Sequence, residues 1–244
     1  MKIALFLLLA LQDPQAEFRE LVQHVLTHTE EFKTAQKIAK DLGVDVALYG
    51  GSSRDLAFFV REEIRQGRAA GLRQRQSFRL TDMLGTEASD IDLIATGRDA
   101  EFMVRLNREH PPMGEFYRWE VKPVGKLDNQ VERTQGRITI DKLLLTDKPW
   151  NVPERVTQWH EEGLRDAREG IIRYHRSPDY LKSPEYTSGQ HDEFFEVLRA
   201  LRFGTGYKDV QFAPGTLTVM KTVSEGALKR VPEIRQRAGV HLFH

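Results

Sequence analysis

Two aspartates near the middle of the chain have the spacing of a metal-binding pair. Asp90 and Asp92 flank Ile91 at the start of a short apolar run that ends at Ala95 and is typical of a β-strand. Side chains two positions apart on a strand share one face, roughly 6.6 Å apart along the chain. Two such carboxylates repel each other unless a cation lies between them, and Mg²⁺ prefers such oxygen ligands. The pair predicts a magnesium platform, although a lone Asp-x-Asp is more often a strand end with exposed acids.

A glycine turn earlier in the chain has the composition of a phosphate site. Gly50 and Gly51 follow an apolar run that ends at Tyr49, and Ser52 then opens a helix. Backbone N–H groups at a helix start carry partial positive charge, and glycines let a phosphate come close because no Cβ blocks it. The same residues are also typical of a plain turn with a helix N-cap. The phosphate-site interpretation is favoured because a helix and then the aspartate pair follow the turn.

The elements that must position these residues can be predicted from periodicity. Apolar residues at three- and four-residue steps indicate helix over 15–42, interrupted around Thr27 to Thr29 and ended by Gly43. Strands are expected at 44–49, 91–95, 120–124, 130–133 and 138–145, and helices at 52–65 and 100–109. From about residue 153 onward the pattern is mainly helical.

Together the two motifs resemble those of the nucleotidyltransferase superfamily, and more closely the head domain of bacterial poly(A) polymerases and CCA-adding tRNA nucleotidyltransferases. That family carries Gly-Gly-x-Val-Arg-Asp at a strand–helix junction and Asp-Ile-Asp-Leu on the next strand, which correspond here to residues 50–55 and 90–93. Residues 163–173 and 198–203 resemble two later family segments, Gly-x-x-Asp-Leu-x-x-Gly-x-Ile-Arg and Leu-Arg-Ala-x-Arg-Phe. Each segment alone is compatible with an ordinary helix, but four in family order are hard to obtain by chance.

The resemblance implies a fold and an activity. The fold would be α+β, a small mixed β-sheet flanked by helices (a polymerase-beta-like nucleotidyltransferase head) at residues 17–175, followed by a helical neck-like region at 176–244. The activity would be Mg²⁺-dependent transfer of a nucleoside monophosphate from a nucleoside triphosphate, ATP or CTP, to a hydroxyl acceptor such as an RNA 3′ end. Pyrophosphate would be released.

The resemblance also implies a role for each site residue. Asp90, Asp92 and a third acid would be catalytic and hold two Mg²⁺ ions; Asp141 is the choice for the third acid and Glu132 the alternative, because the stretch around Asp141 can be aligned in two ways. The expected nucleotide contacts are Gly50, Gly51, Ser52, Arg54, Asp55, Arg199 and Arg202. Within this set Gly51 and Ser52 would bind phosphates and Arg54 would neutralise charge. Asp55 would fix Arg54 or a ribose hydroxyl, and the two later arginines would reach the triphosphate or the base.

Two departures from the family pattern affect these expectations. First, 38 residues, 52 to 89, separate Gly51 from Asp90, and the excess is rich in arginine. This insertion is either a basic flap over phosphates or nucleic acid, or a solvated surface segment. Second, the family's base-selecting Glu-Asp-x-x-Arg run falls on residues 192–196, where Glu196 replaces the arginine. A glutamate cannot present a guanidinium fork, so base selection by the family's rule is in doubt.

Composition excludes several classes of protein. Lys+Arg 36 balances Asp+Glu 36, so any RNA contact must come from a local patch and not from a global field. The absence of cysteine excludes a disulfide scaffold, a zinc–thiolate site and a thiol nucleophile. No apolar run reaches the roughly 18 residues that a membrane span needs.

The N-terminal residues have the composition of a secretory signal peptide. Lys2 is followed by the apolar residues Ile3 to Leu11, and we predict a signal peptide over residues 1–16, with a buried first helix or strand as the alternative. The protein would be exported or periplasmic with a true signal, and cytoplasmic otherwise. Export leaves two other functions open: a non-catalytic nucleotide- or RNA-binding protein that keeps the head fold, or a secreted effector of the same class.

Overall fold

Short strands are interspersed with helices along the chain. The structure is a computed structural model that describes residues 13–83, 90–110, 118–123, 138–147, 154–174, 182 and 196–228. Its elements are α1 (Pro14–Thr27), α2 (Glu30–Leu42), β1 (Val46–Tyr49), α3 (Gly50–Arg65), α4 (Ala69–Gln74), β2 (Asp90–Ala95), α5 (Asp99–Glu109), β3 (Arg118–Pro123), β4 (Leu144–Leu145), α6 (Glu154–Glu169), β5 (Ile171–Ile172), α7 (196–206), β6 (Gln211–Phe212) and α8 (Thr216–Leu228). Short 3₁₀ turns cover Leu80–Asp82 and Thr139–Lys142. Among the described residues, no helix is long and apolar enough to cross a membrane.

A small mixed sheet lies at the centre of the fold. Its strand order is β3-β2-β1-β4, with β1 antiparallel to both β2 and β4, and β2 parallel to β3. All four residues of β1 are buried, as expected of a central strand covered on both faces. The helices pack on this sheet, which confirms the predicted α+β class.

The predicted break in the first helical stretch is confirmed. Asp13 caps α1 by accepting a hydrogen bond from the Gln15 backbone N–H, at 2.9 Å. The second helix ends at Gly43, whose φ of +67° lies in the left-handed region that favours glycine. Residues 14–16, assigned by the sequence to the end of the signal, form the first turn of α1, and residues 1–12 lie outside the described residues.

The arginine-rich insertion is packed onto the first two helices. Phe78 is buried and its backbone pairs with His28 and Glu30, which clamps the segment to the α1–α2 break. Arg73 pairs with Glu17 on α1 at 2.9 Å, and Arg68 and Arg75 pair with Glu63 and Asp82. The described part of the insertion is therefore better interpreted as a surface segment packed on the fold than as a flap.

The region predicted as a strand at 138–145 differs from expectation. Only Leu144 and Leu145 form a strand, and a 3₁₀ turn precedes them. The Thr139 hydroxyl donates to Asp166 on α6 at 2.5 Å, and its N–H donates to the Arg173 carbonyl at 3.0 Å. Ile138 thus keeps an isolated antiparallel bridge, to Tyr174, before the chain turns into the 3₁₀ conformation. The strand predicted at 130–133 lies outside the described residues.

The described parts of the predicted neck-like region share one core with the head. The short strand β5 pairs in parallel with β6, across the predicted boundary after residue 175. Val197, Phe203 and Val219 belong to the same cluster of buried apolar side chains as the sheet. Residues on both sides of that boundary can therefore contribute to one site.

Candidate active site

The end of β1 and the start of β2 lie side by side. The two strands are antiparallel, and Leu48 pairs with Leu93. When this pairing is continued by one residue, Tyr49 lies beside Asp92. The glycine turn after Tyr49 and the aspartate strand therefore meet at one edge of the sheet, although they are far apart in sequence.

The glycine turn forms the start of α3 itself. Gly50 has a φ of +62°, a conformation that glycine adopts without strain. The helix start has no side-chain cap and no acid in its first turn, so its partial positive charge is not neutralised there. Ser52 and Ser53 are fully buried, and the Ser53 hydroxyl donates to the carbonyls of Gly50 (2.8 Å) and Leu143 (2.9 Å). Gly51 is only half-buried, which leaves it the most accessible part of the turn.

Arg54 is the centre of a cluster of charged and aromatic side chains, which we call the Arg54 cluster. Its Nη1 donates to Asp141 Oδ1 at 2.5 Å, and its Nε donates to Asp55 Oδ1 at 3.0 Å and to the Tyr207 hydroxyl at 2.7 Å. The Tyr207 hydroxyl in turn donates to Asp55. The guanidinium carbon lies 4.1 Å from the centre of the Phe203 ring. The cluster thus joins the start of α3 to the 3₁₀ turn at Asp141 and to the chain around α7.

The positive charge of Arg54 is compensated by the two carboxylates of the Arg54 cluster. Burial alone lowers the pKa of Arg54, but the carboxylates of Asp141 and Asp55 outweigh burial and raise this pKa above its ordinary value. Burial also raises the pKa of the Tyr207 phenol, so Tyr207 remains a hydrogen-bond donor to Asp55. Asp55 thus accepts a hydrogen bond from Arg54, and its contact with a ribose hydroxyl stays a prediction.

Asp92 lies in a second charged group on the sheet. The parallel register of β2 and β3 sets it directly opposite Glu120. Lys122 Nζ lies 3.5 Å from Asp92 Oδ1 and 3.3 Å from Glu120 Oε1. The Asp92 side chain is 12% exposed, and burial, with a smaller contribution from Glu120, raises its pKa to about 6 against the lowering effect of Lys122. The side chain of Asp90 lies outside the described residues, and its backbone holds the position two residues before Asp92.

Tyr49 connects the two charged groups. Burial raises the pKa of Tyr49 above its ordinary value, and the negative charges of Asp92, Asp141 and Glu120 raise it further. Arg199 on α7 has the opposite effect on the same phenol, so this arginine also lies near the site. The structure thus brings three of the predicted site residues, Asp92, Asp141 and Arg199, within electrostatic range of one buried tyrosine.

The two predicted arginines of α7 differ in their surroundings. Arg199 is half-buried and its Nη1 lies 3.1 Å from Glu196 Oε1, one turn earlier. Arg202 is exposed. Glu196 thus pairs with an arginine of its own helix, at the position where the family pattern expects an arginine.

The turn that carries Asp141 is held by the 163–173 segment. Asp166 is fully buried, accepts from Thr139, and receives both Nε (3.0 Å) and Nη2 (3.1 Å) of Arg173. Gly163 packs so closely that a Cβ there would lie 2.4 Å from the Thr139 carbonyl oxygen. These residues position Asp141; they are not the solvated helix face that the segment alone would also permit.

The acidic side chains near Asp92 are of a type that binds a divalent cation, although the described ones do not form a preformed set of ligands. Within the described ranges, no three histidine, cysteine or acidic side chains converge as metal ligands. Asp92, however, is a buried carboxylate facing a second carboxylate, and its raised pKa shows that one nearby lysine does not compensate for this environment. A dication with oxygen ligands at this edge would supply that compensation. Asp141 pairs with Arg54, and the alternative Glu132 lies outside the described residues.

Sequence reasoning missed three participants: Glu120, Lys122 and Tyr207. The alternation Arg118-Trp119-Glu120-Val121-Lys122 could have shown that Glu120 and Lys122 share the face opposite the buried Trp119. Tyr207 lies only a few residues beyond the 198–203 segment. No local pattern marked it as a partner of Asp55.

The chain is similar to several solved structures of CCA-adding and other tRNA nucleotidyltransferase enzymes. A CCA-adding enzyme in an apo form is 19% identical, with a TM-score of 0.48 over 82% of this chain and 43% of that one. A tRNA nucleotidyltransferase complexed with a primer tRNA and an incoming ATP analogue is 18% identical, with a TM-score of 0.45 over 80% and 51%. The Thermotoga maritima CCA-adding enzyme complexed with tRNA is 18% identical, with a TM-score of 0.43 over 90% and 44%.

The extent of this similarity is limited. The chain spans about half the length of these structures. No protein-family model matches the chain, and no curated protein matches it significantly. The chain is similar to these solved structures at 18–19% identity and with TM-scores below 0.5.

Proposed function

We propose that the chain is a metal-dependent nucleotidyltransferase that moves a nucleoside monophosphate from a nucleoside triphosphate to a hydroxyl acceptor. The observation that carries the proposal is the meeting of the uncapped start of α3 with the Asp90–Asp92 strand at one sheet edge. A helix start with glycines favours phosphate, and strand carboxylates favour the divalent cation that accompanies a triphosphate.

Each proposed site residue has a role in this reaction. Asp90 and Asp92 would hold Mg²⁺, and when bound the metal supplies charge neutralisation and hydroxyl activation for in-line displacement of pyrophosphate. Gly50, Gly51 and Ser52 would hold phosphate oxygens through the backbone at the start of α3. Arg54 lies against this turn, since a Cβ on Gly51 would be 3.5 Å from its Nη2, and it would add positive charge there.

The third carboxylate is coupled to Arg54 in this proposal. Asp141 is paired with Arg54 in the structure. When Arg54 turns towards a bound phosphate, the Asp141 carboxylate would be released and could act as a metal ligand. Arg199, near Tyr49, and Arg202 would contact the triphosphate or the base. As substrates we propose ATP or CTP and an RNA 3′ hydroxyl, which are those that the sequence resemblance implies.

A transfer assay tests the proposal. The purified full chain is incubated with Mg²⁺, total RNA and each labelled nucleoside triphosphate in turn. We expect label in RNA with the wild-type chain and none with the double variant Asp90→Ala, Asp92→Ala, because both strand carboxylates are removed. Circular dichroism checks that the variant is folded.

The matched control removes two exposed acids from the helix after β2. Glu101→Ala with Glu109→Ala changes the net charge equally and should leave transfer unchanged. Transfer by the Asp90→Ala, Asp92→Ala variant at the wild-type level would show that these aspartates are not part of the active site. Nucleotide binding without any transfer by the wild-type chain would favour the alternative, a non-catalytic nucleotide- or RNA-binding protein.

A further inference from the structure

Lys122 places an ammonium group of the chain itself at the carboxylates of the sheet edge. Its Nζ lies 3.5 Å from Asp92 Oδ1 and 3.3 Å from Glu120 Oε1. Its side chain is only 16% exposed, so this contact is part of the packed structure and not a loose surface pair. The two carboxylates face each other across the parallel strands β2 and β3, which gives them a common counter-ion.

A third strand helps to hold the ammonium there. Nζ lies 5.7 Å from the centre of the Tyr49 ring, within the range at which an aromatic ring attracts a cation. Tyr49 is buried at the end of β1, directly before the glycine turn. The ammonium therefore contacts residues of all three strands that form the proposed site.

The charge balance of this group is incomplete. With Asp92 and Glu120 ionised, one ammonium leaves one negative charge, whereas a divalent cation would balance both carboxylates. Mg²⁺ binds carboxylate oxygens at roughly 2.0–2.1 Å. An ammonium within 4 Å of the same Asp92 oxygen would then be a like charge next to the metal, and the two cations disfavour each other.

We propose that Lys122 is the resident counter-ion of Asp92 and Glu120 and competes with the divalent cation for them, so that the free chain binds metal weakly. The inference rests on the proposed function, since that function gives Asp92 its metal. The lysine stem is flexible, so its ammonium can leave the carboxylates when a better partner arrives. A triphosphate is such a partner, and metal and nucleotide therefore bind cooperatively, each strengthening the other equally.

Binding of Mn²⁺, followed by electron paramagnetic resonance on the full chain, tests this competition without any turnover. The variant Lys122→Met should bind Mn²⁺ at least about tenfold more tightly than wild type, equivalent to ~1.4 kcal/mol. The added effect of a nucleoside triphosphate on Mn²⁺ affinity should shrink in this variant. Asp92→Asn in the same background should lose the gain.

The matched control is Lys37→Met, which removes an exposed lysine on α2 and should leave Mn²⁺ affinity at the wild-type value. Lys122→Arg keeps the charge and should also stay weak. Mn²⁺ affinity in Lys122→Met that is equal to or below wild type would overturn the proposal. If that variant does not fold, the wild-type chain is used: the ¹⁵Nζ signal of Lys122 should shift on Mg²⁺ addition, and an unmoved signal overturns the proposal equally.

The outcomes separate this inference from the proposed function. Tighter Mn²⁺ binding in Lys122→Met without nucleotide transfer by the wild-type chain would keep the counter-ion role and reject the enzyme. Transfer by the wild-type chain with no change in Mn²⁺ affinity on removing Lys122 would keep the enzyme and reject the counter-ion role.

Discussion

Asp92 carries a charge that its surroundings only partly stabilise. The carboxyl group is buried opposite Glu120, and a single lysine offsets the loss of water. Arg54, by contrast, has two carboxylates and an aromatic ring around one guanidinium. The buried charge of Arg54 is thus more fully compensated than that of Asp92, and Asp92 is where a ligand would add most.

This imbalance predicts that Asp92→Asn stabilises the folded protein at alkaline pH. The pKa of Asp92 is raised from 3.8 to about 6, so its ionisation costs stability progressively as pH rises from 3.8 to about 6, and the full cost is present above. The neutral amide avoids this cost, by about 1–3 kcal/mol at pH 8, since each tenfold change in proton affinity is ~1.4 kcal/mol. Urea unfolding at pH 8 and at pH 4.5 measures the difference, which should shrink at the lower pH. A variant less stable than wild type at pH 8 would show that the pairing with Lys122 dominates.

Spacing in the sequence singled out Asp92 and the glycine turn as candidates, but not Glu120 or Lys122. Asp92 and the glycine turn can be recognised from local patterns, namely alternate acids on a strand and glycines before a helix. Glu120 and Lys122 acquire a role only through the register between β2 and β3, which spans a connection of more than twenty residues. No short-range signal encodes that register.

At the scale of elements, the 3₁₀ turn between Ile138 and Leu143 is the decisive local structure. Its apolar residues alternate as they would in a strand and are buried as predicted, so the choice of core residues was right while the backbone conformation was wrong. The bonds from Thr139 to Asp166 and to the Arg173 carbonyl come from residues far along the chain. Tertiary contacts of this kind override local propensity.

The close packing of α6 on this turn predicts that Gly163→Ala is destabilising. A Cβ there would lie 2.4 Å from the Thr139 carbonyl oxygen, a backbone atom that cannot move alone. We expect a loss of about 2 kcal/mol, within the usual range for overpacking, in urea unfolding. Gly71→Ala on α4 is the control, because nothing lies within 4 Å of its Cβ position, and it should be neutral or stabilising. Equal stability of the two variants would contradict this packing.

At the scale of the whole molecule, the described parts of the predicted head and neck-like regions form one packed unit. Phe58 on α3 stacks on Tyr207, with ring centres 4.1 Å apart, and Phe203 covers Arg54. The boundary predicted at residue 175 remains a prediction about the chain's organisation. Aromatic contacts and the β5–β6 pairing join the residues on its two sides.

This shared core predicts a single unfolding transition. In calorimetry of the full chain, we expect one peak whose calorimetric and van't Hoff enthalpies agree, because exposing Phe58 and Arg54 would accompany any separate opening of the C-terminal helices. A fragment of residues 13–175 should fail to show a cooperative transition. Two peaks, or a stable fragment, would instead support two independent domains.

The packing of the arginine-rich insertion has a consequence for ionic strength. Arg68, Arg73 and Arg75 already pair with acids of the chain, so each would have to leave its carboxylate before it could neutralise a phosphate. Each phosphate that a protein neutralises contributes a slope of about −0.9 to the plot of log affinity against log salt. While these pairs persist, the three arginines would add little to the salt dependence of RNA binding by this chain.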